Sequence, residues 1–184
     1  MSFFEYFKLK PITTKSNIDR DTFIKYVIVA RDRYGESWVD SESLKPSPDE
    51  RVDFSGSAFA EWLKVHNPLM WEKFVKFNEN KDFFHLSVED SFCTPLYVID
   101  VIQEGLLQEK GLSECYGAMN TEEQKEYVAI DDLCYDLFVD YCIEHPALAK
   151  AVYDGICDFL SECYEEDIED MEDEDDEDED DDDF

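Results

Sequence analysis

The sequence predicts a mainly helical α+β fold, with a small N-terminal β-hairpin or sheet packed with about five helices and followed by a disordered acidic C-terminal tail. Three observations carry this expectation. A run of β-branched and aromatic residues lies near the start, helically spaced apolar residues dominate from position 56 onward, and residues 165–184 hold seventeen carboxylates without one cation.

In the first segment, residues 1–55, Thr22 to Val29 reads as a strand. Arg31 to Gly35 is its turn and Trp38-Val39 the start of a second strand. The aromatics Phe3, Phe4, Tyr6 and Phe7 are either core or an interface anchor. Leu44 to Phe54, with Pro46 and Pro48, reads as a loop.

The helical region spans residues 56–164. Ser57 caps a helix through Val65 that carries Phe59, Trp62 and Leu63 on one face. Asn67 and Pro68 open a second helix bearing Leu69, Trp71, Phe74, Val75 and Phe77. Thr94-Pro95 repeats that signal for a helix from Leu96 to about Lys110, with Val98, Ile99, Ile102 and Leu106 inward and Gly111 as its stop. Thr121 with Gln124 makes a capping box for a helix to about Glu144, ended by His145-Pro146. A last helix runs from Ala147 to about Tyr164 and frays into the tail, residues 165–184.

Charge is graded along the chain. Of the net -32, residues 1–85 hold 14 acids against 13 bases, residues 86–164 hold 17 against 3, and the tail holds 17 against none. Almost nothing apolar in the tail offsets a backbone ordering cost of about 1–2 kcal/mol per residue, so it is expected to stay disordered without a cationic partner. A salt-adapted protein would spread its acid evenly, and the first 85 residues are nearly neutral. The six cysteines form no Cys-x-x-Cys pair and no secretory leader is legible, so they are read as reduced packing residues. No stretch approaches the ~18 apolar residues of a membrane span.

The candidate site is a pair of acidic stripes. Asp132, Asp136 and Asp140 recur at i, i+4, i+8 on the fourth predicted helix, with Asp131 beside them; Asp154, Asp158, Glu162 and Glu166 do the same on the fifth. Glu165 to Asp183, with Glu165, Asp167, Glu169 and Asp170 among the expected partner-binding residues, are expected to add steering and a second, flexible contact from the tail. Carboxylates four apart rise ~6 Å along a helix, close to the repeat of phosphates along a nucleic-acid strand. Like charges at that spacing oppose the helix, and an ordinary surface would interleave cations; between Glu126 and Phe184 Lys150 is the one base.

In this excess of acid, aromatic content and acid-studded helices, the chain resembles the DNA-mimic inhibitors of bacteriophages and plasmids, the antirestriction and anti-CRISPR proteins. The resemblance is one of class, covers residues 121–184, and rests on no aligned motif. It implies a non-enzymatic protein without cofactor, which occupies the cationic cleft of a host nuclease, restriction, CRISPR or repair complex in the host cytoplasm. It implies no direct nucleic-acid or membrane binding and leaves a homodimer open. The closing Asp180 to Phe184 is similar to the tips of single-stranded-DNA-binding proteins, which implies docking through Asp182, Asp183 and Phe184. A body of that kind needs a cationic groove with stacking aromatics, for which Lys8, Lys10, Lys15, Arg20, Lys25, Arg31 and Arg33 near Tyr26, Tyr34 and Trp38 are the candidates. A third reading is an acidic chaperone of a basic protein, acting through total charge.

Catalytic signatures are lacking. His66, His85 and His145 make no metal-ligand spacing, and no nucleophile elbow, P-loop or dinucleotide turn occurs. Pro48-Asp49 with Glu79-Asn80-Lys81 is a poor match to a nuclease pattern, because Glu79 follows a predicted helix and not a strand.

Overall fold

The computed structural model describes residues 1–34, 37–45, 53–79, 93–112 and 115–176. Among them all regular structure is helical: α1 (Phe3–Tyr6), α2 (Arg20–Tyr34), α3 (Gly56–His66), α4 (Pro68–Glu79), α5 (Pro95–Glu109), α6 (Thr121–Glu144) and α7 (Pro146–Asp176). Short 3-10 turns lie at Ser37–Asp40, Glu42–Leu44 and Tyr116–Ala118. The chain divides into two compact units, Met1–Glu50 with Ala149–Phe184, and Arg51–Leu148.

In the first unit the expected N-terminal hairpin is absent. Thr22 to Val29 lies inside α2, and Trp38-Val39 falls in a 3-10 turn. Period overrides composition here. Phe23, Tyr26, Val27 and Ala30 are fully buried and stand at i, i+3, i+4 and i+7, one face of a helix. Asp19 starts that helix, its carboxylate accepting from the Thr22 backbone N–H at 2.9 Å and the Thr22 hydroxyl at 2.8 Å. The preference of β-branched residues for strands spans only ~1 kcal/mol, less than the burial of a single large side chain.

The second correction concerns the tail, because α7 does not fray after Tyr164 but continues to Asp176. Val152, Ile156 and Leu160 on its inner face are fully buried, and Tyr153 meets Tyr26 edge-on at 5.1 Å. Each of those aliphatic side chains contributes about 1.5–3 kcal/mol. A like-charge pair four apart costs about 0.2–0.5 kcal/mol, so burial wins over the length where both occur.

In the second unit α5 packs against α4 and α6, and α3 packs against α4 and α5. The caps sit close to their predicted places with small shifts. Ser55 Oγ, not Ser57, accepts the Ala58 N–H at 3.2 Å to begin α3. Asn120 with Glu123, one residue before Thr121 and Gln124, forms the capping box of α6. Thr94 caps α5, and Gly111 at φ 68 ends it, where Leu112 donates to the Leu107 carbonyl at 2.9 Å. Phe59, Leu63, Leu96, Ile102, Phe138 and Tyr141 fill the core, and the Tyr141 hydroxyl donates to the Asp53 carbonyl at 2.6 Å.

Gly105 sets how closely α4 and α5 approach, since a Cβ there would lie 2.0 Å from the Phe77 ring. Gly105→Ala gains about 1 kcal/mol of helix propensity but forces the ring aside at about 1–3 kcal/mol. Net destabilisation of up to about 2 kcal/mol is expected by urea denaturation. In a Phe77→Ala background the same substitution should instead stabilise.

Candidate functional site

The α7 stripe begins where its cations end, for no Lys, Arg or His follows Lys150 in the sequence. Asp154 is not part of a free anionic surface. It accepts from Lys15 Nζ at 2.7 Å and from Lys150 Nζ at 2.9 Å. Burial resists its ionisation, but the hydrogen bonds and charges of the two lysines outweigh that and hold its carboxyl below the usual range. Asp167, half-buried, is likewise engaged: the Tyr6 hydroxyl donates to it at 2.6 Å and Arg33 pairs with it. Asp158, Glu162, Glu165, Glu166, Glu169 and Asp170 are exposed.

The α6 stripe belongs to the other unit. Asp132 is exposed, whereas Asp136 and Asp140 are half-buried between Tyr135, Leu137, Val139 and Tyr141, all four of them buried. Asp131 accepts from Gln103 Nε2 at 2.8 Å and thereby ties α6 to α5. Leu133, beside Asp132, is 39% exposed. The row continues to Glu144, which accepts from Trp62 Nε1 at 2.8 Å and lies 3.3 Å from His66 Nε2. Its position four after Asp140 made it readable in the sequence. The proposed docking residues Asp182, Asp183 and Phe184 lie outside the described residues, as do His85, Pro48, Asp49, Asn80 and Lys81.

Two structural partners of the acidic residues escaped the sequence reading. The sequence places Arg33 in the expected turn and among the cationic-groove candidates, and leaves Tyr6 as either core or interface anchor. Phe7 is 9% exposed, Phe3 and Phe4 are half-buried, and the rings of Phe3 and Tyr6 stand edge-on to Tyr164 at 6.1 and 5.4 Å, so this cluster packs within its unit. Lys15, a candidate for a cationic groove, is a partner of Asp154.

Nucleophilic and metal chemistry find little here. Burial pushes the Cys134 thiol up to about 12 and the Cys157 thiol up to about 11, so both stay protonated at neutral pH. Burial also places Cys142 well above the ordinary thiol range. Among the described residues no group of three or more His, Cys, Asp or Glu side chains is placed to hold a metal ion, and no helix is long and apolar enough to cross a membrane. No family model, curated protein or solved structure matches the chain.

Because the folded pKa of Asp154 is lowered, its stabilisation is complete above the unfolded value near about pH 4 and is lost as pH falls through the folded value. Asp154→Asn should therefore be less stable than the wild type at pH 6, by no more than about 1 kcal/mol for each of the two partly exposed pairs. The difference should shrink as pH falls below about 4 and through the folded value. Urea midpoints across that range check it.

Proposed function

We propose that the protein is a non-enzymatic nucleic-acid mimic. It acts in the cytoplasm by occupying the cationic cleft of a DNA-handling nuclease, restriction, CRISPR or repair complex. The observation that carries this reading is the continuation of α7 to Asp176, with Asp158, Glu162, Glu165, Glu166, Glu169 and Asp170 exposed along it. At 1.5 Å per residue, a helical row of carboxylates repeats every ~6 Å, and a cleft built for phosphates meets charge at the interval it expects. Binding such a row releases the counterions of the partner and steers encounter as DNA does. On its own unit α6 presents Asp132 at the surface, with Asp136 and Asp140 half-buried along the same row.

The single-stranded-DNA-binding alternative is disfavoured by how its residues are used. Tyr26 is fully buried and Trp38 only 2% exposed, so neither offers a face for base stacking. Lys15 and Arg33 are engaged with carboxylates of α7. An acidic chaperone would also bind cationic partners, but it would be indifferent to where the charges stand.

The test is capture from bacterial lysate on the full chain, with DNA as competitor. A DNA-handling complex should be retained, be displaced by DNA, and lose affinity on the order of a hundredfold or more between 50 and 200 mM salt. The variant Asp158→Asn, Glu162→Gln, Glu166→Gln, Asp170→Asn should weaken capture strongly. A flat salt dependence, or full capture by the variant, would contradict the proposal.

A further inference from the structure

We infer that the N-terminal segment Met1–Lys10, together with Arg33 of α2, is a clasp that keeps the acidic half of α7 helical, and that opening it converts an ordered row of charges into a flexible polyanion. Its consequence for binding rests on the mimic reading above; its structural part does not.

Local physics alone would end α7 near Tyr164. Beyond that point Glu165 faces Glu169, and Glu166 faces Asp170, at the spacing where like charges repel. Carboxylates crowd the end of the helix whose dipole is negative, and the last turn has no basic residue. Inner-face burial, which outweighs repulsion up to Cys163, gives way to a half-buried Ile168.

The clasp acts at this junction. The Tyr164 hydroxyl donates to the Met1 carbonyl. One turn on, Asp167 accepts from the Tyr6 hydroxyl at 2.6 Å, and that hydroxyl accepts from Arg33 Nη2 at 2.7 Å. Arg33 pairs with Asp167 and lies over the Tyr6 and Phe7 rings at 5.5 and 5.8 Å. Asp167 is therefore held jointly by α1 and α2. The segment is itself fixed at both ends. Ser2 and Glu5 close a capping box at its start. At its end the chain reverses through Lys8 at φ 55, Leu9 is buried, and the Tyr26 hydroxyl donates to the Lys10 carbonyl at 2.8 Å. Tyr6 is thus a positioning residue, acting on the charge row through Asp167.

The experiment is backbone assignment of the full chain and of its Tyr6→Phe and Arg33→Gln variants, with 13Cα secondary shifts read over residues 165–176. The wild type should show helical shifts there. Arg33→Gln should reduce them by at least half, and Tyr6→Phe by a smaller but resolved amount, while residues 152–160 keep theirs. Helical shifts unchanged in both variants, or coil-like shifts already in the wild type, would overturn the clasp. Should Arg33→Gln unfold the unit, Tyr6→Phe, which removes one hydroxyl, decides alone. No partner enters the measurement, so the clasp and the mimic reading can fail separately.

Discussion

Repulsion among its own carboxylates is the constraint that α7 and everything attached to it must satisfy. Val152, Ile156 and Leu160 answer it by burial, and Lys15, Lys150 and Arg33 answer it by charge. The two devices divide the helix. Where an apolar face is available, about 1.5–3 kcal/mol per side chain overwhelms a few tenths per repelling pair. Past Cys163 that face thins, and α1 and α2 supply contacts in its place.

The same accounting separates structural from available acid. Asp154, Asp167 and Asp131 are engaged with Lys15, Arg33 and Gln103, so their charge or hydrogen-bonding capacity is used inside the fold. Asp158, Glu162, Glu165, Glu166, Glu169 and Asp170 remain at the surface and carry the proposed recognition. Three of the candidate residues chosen for their acidity are therefore better understood as fasteners. The distinction matters for mutagenesis, because neutralising a fastener alters stability as well as binding.

Much of the second unit was legible in the sequence, because its signals are local. Pro68, Thr94-Pro95, Gly111 and His145-Pro146 mark helix ends by backbone chemistry that tertiary context does not change. Two failures share another cause. Thr22 to Val29 satisfied a compositional rule for strands while Phe23, Tyr26, Val27 and Ala30 held a helical period, and packing decides between such signals. The extension of α7 could not be read from the tail, whose own composition argues for disorder. It depends on Tyr6 and Arg33, far away in sequence. The acidic rows were visible from spacing alone. Which members are engaged was not, because ion pairs such as Lys15 with Asp154 are made by the fold.

The central claim is that the position of charge, and not its amount, makes the ligand. Exchanging neighbours tests it at constant composition. A chain carrying Ser161→Glu with Glu162→Ser, and Asp132→Leu with Leu133→Asp, moves one carboxylate about 100° around each helix. Titrating this chain and the wild type against the captured complex at equal salt gives the comparison. Weaker binding by the exchanged chain, at identical net charge, is the predicted result; equal affinity would mean that total charge alone acts, and would contradict the account.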